Sequence, residues 1–510
     1  MKSLFFLFII TTICLKAFTQ KPILVYPFKF EKKGLKEPDN DANFLVDKGL
    51  DNIAFVLHDI KKAEYVMTDP NFKVISKFTL PVENSIFDMS HPANKEEFLG
   101  GSGLPGTGIF NYLYKTTTNQ YRLVYNKSDE AYRVETVNFN TKTVSQKEFA
   151  KVPGHEKLIV SFTDYGECFL FMADNKTNEL IVYNLGKDGQ TIKKNISFKI
   201  PPGKGKNRNS LSEYLEGTKL IKDDEEAELE TATQSSKLFS TADKFIFIIN
   251  EASAPTHAVT IDKNTFSLTE KFIDHNSLLT GSEKEKSYVN SFLADGKLFT
   301  LALNKKNIQV AVYNLQDGQL MMQQDITEEN YEKLLSVLPV FKERKGSKEK
   351  EEEVEEYKKL VKALTKGTEG LLVTKNAANQ YIITVGTYDH IIIPSGGSIG
   401  SAHISTTVNA SSYGGAVPAS SFVYTPGVSR YTTGGSNYYK TTSFTLLLNA
   451  AALTPVKGKV KPTAGDQIKD YMDGRSGRVK KQFSKGDKQY LGYYDKDSET
   501  YVIENIPIRK

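Results

Sequence analysis

The chain has 510 residues, with 66 basic and 61 acidic side chains and a formal net charge of +5. Charge this close to balance, and interspersed, supplies no basic face for nucleic acid. Two cysteines allow no disulfide framework, and 26 Tyr and 30 Phe without any Trp weigh against the Trp platforms on which sugar sites lean.

The N-terminus is the first element. Lys2, the apolar run Leu4 to Leu15, and the small residues Ala17 and Thr19 read as an export signal over residues 1–19, too short to stay as an anchor. Cys14 follows Ile13, where a lipobox requires a small residue, so the pattern is not that of a lipoprotein. Removing the signal takes Lys2 and Lys16 and leaves 64 basic against 61 acidic residues and one cysteine, Cys168, in an apolar strand. A lone cysteine there is expected to pack as a small hydrophobe. No later run reaches 18 apolar residues, so no transmembrane helix is expected after the signal. The expected location is outside the cytoplasm: periplasmic, outer-envelope-associated or extracellular.

Beyond the signal, residues 20–510 read as one domain built on a recurring hairpin. Its copies run Phe55 to Asp69, Leu123 to Asn140, Phe169 to Asn184, Phe245 to Asp262, Lys297 to Asn314, Tyr381 to Asn449 (interrupted) and Tyr490 to Val502. Runs of four to six residues rich in Phe, Tyr, Ile and Val, bounded by Asn, Asp, Gly and Lys, are strands rather than helices. The second strand of most copies ends in Asn or Asp, which hydrogen-bond their own backbone and suit a turn to a third strand. The anchors Asp69, Asn140, Asn184, Asp262, Asn314 and Asn449 lie 71, 44, 78, 52 and 135 residues apart. The shortest gap matches one four-stranded propeller blade, and the longer ones are a blade plus an insertion.

The insertions differ in character. Residues 83–108 hold a Gly-rich loop. Residues 201–236 are charged and carry Asp223 to Glu226. In 327–368, Val354, Tyr357, Val361 and Leu364 recur at helical spacing, with Glu351 to Glu353 ahead and Lys358, Lys359, Lys362 and Lys366 behind, an order that complements a helix dipole. Residues 389–440 are rich in Gly, Ser, Thr and Tyr and cannot form a core of their own.

Repeated four-stranded units that bury a shared interior resemble the β-propeller architecture. The resemblance implies an all-β fold of six or seven blades with a short charged helical insertion. It also implies ring closure by the early strand Ile23 to Tyr26 against the last hairpin. No Trp-Asp dipeptide, Ser-x-Asp-x-Gly-x-x-Trp box or kelch glycine pattern accompanies it.

Chemical motifs give little. Gly396-Gly397-Ser398-Ile399-Gly400 matches a nucleophile elbow in letters, but β-branched residues stand where its helix must follow. The loop Gly101 to Gly108 lacks the lysine of a phosphate loop. Among His58, His91, His155, His257, His275, His390 and His403, no two have helical metal-ligand spacing. Asp39 to Asn43 and Asp495 to Glu499 fail as calcium loops and read as solvated turns. The reading therefore assigns no catalytic residue, metal site or cofactor. It expects an exported, non-catalytic scaffold that binds a protein or cell-envelope component through its loop face. Tyr413, Tyr424, Tyr431, Tyr438 and Tyr439 supply contact area there. The alternatives are a polymer-acting hydrolase or lyase with acidic residues at the propeller channel, and a purely structural envelope component.

Overall fold

The computed structural model describes residues 21–30, 41–45, 52–81, 112–200, 210–275, 288–335, 342–393, 436–456 and 464–508, apart from short breaks at 60, 118, 129–130, 165–166, 187–188, 198–199, 223–226, 252–253, 346–349, 355, 377 and 487. These residues form seven sheets in chain order, antiparallel apart from one added strand, the blades of a propeller. Blade 1 consists of Asp41–Leu45, Ile53–His58, Lys62–Thr68 and Val74–Pro81; blade 2 of Tyr112–Thr117, Gln120–Ser128, Ala131–Asn138 and Thr143–Lys151. Blade 3 comprises Glu156–Asp164, Glu167–Asp174, Glu179–Leu185 and Thr191–Ile196. Blade 4 comprises Ser236–Ser240, Lys244–Ile249, Thr256–Asp262 and Leu268–Ile273, and blade 5 Tyr288–Ala294, Lys297–Leu303, Ile308–Asn314 and Leu320–Ile326.

The last two blades depart from the simple meander. In blade 6, Glu369–Lys375, Gln380–Ile393 and Ser436–Asn449 are followed outward by Lys342–Lys345 and Lys350–Glu353, which precede them in the chain. Blade 7 contains Arg478–Lys485, Lys488–Asp495 and Thr500–Ile506, and its outermost strand is Leu24–Pro27, paired Leu24 to Ile503 through Pro27 to Thr500. The expected closure of the last blade by the N-terminal strand is thus observed. Blade 7 also packs on blade 1, where Phe44 stacks on Phe483 with ring centroids 4.1 Å apart.

Burial explains which strands were legible. The two middle strands of a blade are covered on both faces by neighbouring blades, so Glu167–Asp174 and Glu179–Leu185 are almost continuously buried. Outer strands are more exposed, and Val74–Pro81 alternates along its whole length. Aromatic rings fill the space between blades: Phe245 of blade 4 meets Phe169 and Phe171 of blade 3 edge-on at 4.9 and 5.0 Å. Burying each such ring is worth about 1.5–3 kcal/mol. Cys168 lies fully buried in this layer, and burial pushes its thiol pKa well up, as befits a packed hydrophobe.

The Asx turns are real, but not all at the expected anchors. At Asp69, Asp262, Asn314 and Asn449 the side-chain Oδ1 accepts backbone N–H groups two to four residues on. In blade 2 the role falls to Asn138, which takes the N–H groups of Asn140 and Thr141. In blade 3 Asn184 donates to Glu167 instead, and an Asx turn forms one link earlier, at Asp174 between the second and third strands. The residue four positions after the Asx group closes the loop onto its carbonyl, as Asn178 does to Asp174 at 2.8 Å and Phe266 to Asp262 at 2.9 Å. That residue is left-handed: Lys142, Asn178, Phe266, Leu453 and Glu499 all have φ between 50° and 56°. Asp495 makes the same turn, as the sequence suggests.

The helical insertion is mixed. Tyr357–Leu364 is the expected amphipathic helix, burying Tyr357, Leu360, Val361 and Leu364. Glu351 to Glu353 are not its acidic first turn, however. They lie in the strand Lys350–Glu353, which pairs with Lys342–Lys345 as Lys342 to Glu353 and Arg344 to Glu351. Two of the four facing pairs are oppositely charged and two, Glu343 with Glu352 and Lys345 with Lys350, are alike, so cross-strand charge does not by itself select the strand over the helix. The all-charged strand also forms the outer edge of its sheet, where charge discourages further pairing.

Candidate binding face

Residues at equivalent heights of neighbouring first strands meet across the blade boundaries. Lys237, second in its strand, donates to Asn290, third in the next, and Asn290 donates to the carbonyl of Glu369, first in the one after. At the other end, Ser240 donates to Asp164 at 2.6 Å, and both close their strands. The first strands of blades 3 to 6 therefore run in the same sense. In a four-stranded meander, successive links alternate ends. One end then carries the turns between strands 1 and 2 and between 3 and 4; the other carries the links between strands 2 and 3 and those from blade to blade.

The two ends differ sharply in length of chain. Turn-end links between strands of one blade run from 295–296 to 46–52, and one long link, 450–477, leaves this end after the third strand of blade 6 on its way to blade 7. The connection end carries 82–111, 197–235, 274–287, 327–368 and 394–435. The last of these tops a paired ribbon. Gln380–Ile393 and Ser436–Asn449 stay in register out to Ile393 opposite Ser436, whereas the first strand of blade 6 is met only as far as Tyr388, whose N–H bonds to Thr368. On the other side Lys345 still pairs with Lys440, so residues 390–393 and 436–439 extend about 13 Å past the neighbouring strands, at about 3.3 Å per residue.

Of the tyrosines expected to make contacts, Tyr438 and Tyr439 lie in this ribbon, opposite Ile391 and His390. Tyr413, Tyr424 and Tyr431 lie outside the described residues, as do Ser398, Gly101 to Gly108, His91, His403 and the export signal. Among the described residues no group of three or more His, Cys, Asp or Glu side chains could hold a metal ion, and no helix is long and apolar enough to cross a membrane.

Sequence reading missed a buried polar network at the same end. Lys237 is fully buried, with its ammonium donating to the Gln234 carbonyl at 2.6 Å and to Asn290 Oδ1 at 2.8 Å. Burial lowers its pKa to about 7, and the nearby Glu369 carboxylate opposes that shift only in part. One strand away, Ser291 and Thr256 both donate to Asn250 Oδ1, at 2.8 and 2.9 Å, and Thr256 lies 2.7 Å from His275 Nε2. With the Thr256 proton committed to Asn250, His275 must donate from Nε2, which leaves Nδ1 as an unpartnered buried acceptor. His257 Nδ1 lies 2.9 Å from the Tyr214 hydroxyl, and the ring stacks on Phe272. Burial lowers the pKa of both histidines to about 4, so both are neutral near pH 7. The hydroxyls of Tyr214 and Thr256 lie against them, and the Glu270 carboxylate is 3.7 Å from His257 Nε2.

Contacts at the turn end are ionic. Asp164 also takes the ammonium of Lys263 at 2.9 Å, and Asp295 takes Lys375 at 2.8 Å and the Tyr381 hydroxyl at 2.9 Å. The bond from Lys375, partly offset by burial, holds the Asp295 carboxyl below its ordinary range. These pairs join blade 3 to 4 and blade 5 to 6. On the axial edge of blade 4, where a channel-lining acidic site would sit, an extra strand Lys219–Lys222 pairs parallel to Lys237–Ser240.

No family model and no curated protein matches the chain. Among solved structures, an apocarotenoid oxygenase mutant from Synechocystis is similar at 9% identity and TM-score 0.25, covering 56% of this chain and 61% of its own. A prolyl endopeptidase structure reaches TM-score 0.32 at 8% identity, over 94% of this chain and 48% of that one. The SapL1 lectin, solved with alpha methyl fucoside, gives 0.22 at 8% identity over 72% and 95%. This chain spans less than two thirds of the first two, and at such scores none lends it an activity.

Proposed function

We infer that this chain is an exported propeller that binds a protein or cell-envelope component through its connection end, without catalysis. The observation that carries the reading is the convergence on one end of all but one of the long inter-blade connections and of the ribbon bearing Tyr438 and Tyr439. A rigid sheet framework presenting long loops is the usual arrangement of a binding surface. The Tyr-, Gly- and Ser-rich composition of 394–435 suits adaptable contacts around aromatic anchors. Export rests on the N-terminal pattern of Lys2, Leu4 to Leu15 and Ala17 to Thr19.

The test replaces 394–435 by Asn-Gly, a two-residue turn suited to joining paired strands. Both forms are used as bait against a detergent extract of the native envelope, with mass spectrometry of what is retained. The reading expects one dominant partner with the full chain and its loss with the shortened one. Equal retention by both would remove the ribbon tip from the account.

A further inference from the structure

The segment that closes blade 7 grips more than one blade. Along Ile23 to Phe30 burial alternates: Val25, Pro27 and Lys29 are exposed, while Tyr26, Phe28 and Phe30 are buried. On blade 7, Leu24–Pro27 pairs with the last strand, and the Phe28 N–H donates to the Glu499 carbonyl at 3.3 Å. Lys29 pairs with the Glu499 carboxylate at 2.8 Å, and Phe30 meets Tyr494 edge-on at 4.6 Å. On blade 1, the Tyr26 hydroxyl donates to Glu64, and its ring meets Phe55 edge-on at 5.7 Å. The Lys62 ammonium lies 4.7 Å from the centre of the Phe28 ring. All three buried aromatic side chains belong to the apolar cluster that joins blades 7 and 1.

We propose that residues 23–30 are a kinetic clasp: they dock last as the chain folds, and their release sets the rate at which the ring unfolds. Strand pairs within a blade close short loops, whereas the bond from the Ile23 N–H to the Ile503 carbonyl at 2.8 Å closes a loop of almost the whole chain. The entropy of that closure is recovered only once the blades between are formed, which places it late. Interactions made after the transition state do not speed folding; they slow unfolding. A clasp of this kind gives the closed ring a long lifetime, which is the operational form of stability for a chain that unfolds irreversibly.

Unfolding and refolding rates of the full chain, measured by urea jumps, test this. Tyr26→Phe removes only the hydroxyl that reaches blade 1, and Phe30→Leu keeps an apolar side chain but loses the ring contact with Tyr494. Each should speed unfolding at least about fivefold and leave refolding within about twofold. Phe171→Leu, which loosens the layer between blades 3 and 4 instead, should slow refolding by at least about threefold. Clasp variants that slow refolding as much as they speed unfolding, or that unfold at the parent rate, would overturn the proposal. So would a Phe171→Leu chain that changes in unfolding alone, since the clasp would then be no different from any other layer.

Discussion

Tyr65 of blade 1 donates its hydroxyl to the Glu135 carboxylate of blade 2 at 3.1 Å, and both residues are completely buried. Gln146 donates to the other oxygen at 3.2 Å. A carboxylate inside the layer between two blades needs such donors, and here one comes from the neighbouring blade. Tyr65→Phe keeps the ring stacked on Phe78 but removes that donor. It should destabilise the fold by about 1–3 kcal/mol, read as a lower urea midpoint at unchanged slope. Changing Glu135→Gln in the same chain should recover part of the loss, because a neutral amide costs less to bury.

Lys142 occupies the left-handed position of the blade 2 turn with φ 56° and an exposed side chain. Its Cβ is strained there, and a glycine would not be. Lys142→Gly should raise stability by about 0.5–1 kcal/mol, after allowing for the extra entropy of glycine in the unfolded chain. At Phe266, which shares the geometry, the same change should destabilise instead, since its ring packs against the core. Opposite shifts in thermal midpoint check the pair.

The pH dependence follows from the buried bases. His257 and His275 have folded pKa values of about 4 against 6.5 in a free chain. Below pH 6.5 the unfolded chain binds more protons than the folded one, so stability falls as pH drops from 6.5 towards 4. His275→Gln, which keeps a donor towards Thr256, should flatten that slope. Lys237 acts in a different window: with a folded pKa of about 7 against 10.5, it makes stability rise from pH 7 towards 10.5, and Lys237→Met should abolish that part. Urea midpoints across pH 4–10 measure both.

The repeat was legible because its middle strands are buried on both faces and so read as continuous apolar runs. The inner strands were not. Ser236–Ser240 sets Lys237 among its apolar residues and Glu369–Lys375 opens on Glu369, and Asn290 of blade 5, which meets the Lys237 ammonium and the Glu369 carbonyl, leaves no signal local to either strand. Nor could the out-of-order strands of blade 6 be seen, since Lys342–Lys345 and Lys350–Glu353 have the composition of a solvated helix. Tyr438 and Tyr439 were found through composition, which located their segment without revealing the strand that holds them.

Replacing 394–435 by Asn-Gly should leave the fold intact, because pairing continues to Ile393 and Ser436 on either side. The thermal midpoint should move by less than about 2 °C, a change of no more than about 2 kcal/mol in a chain of this size. A larger fall would mean that the segment stabilises the blades.

The binding face itself is tested most directly by site-specific photocrosslinking in the native envelope, with a benzophenone amino acid at Tyr439 on the ribbon and, separately, at Lys142 on the opposite end. The account predicts one discrete adduct from position 439 and none from position 142. Adducts of equal yield from both ends, or from position 142 alone, would contradict it.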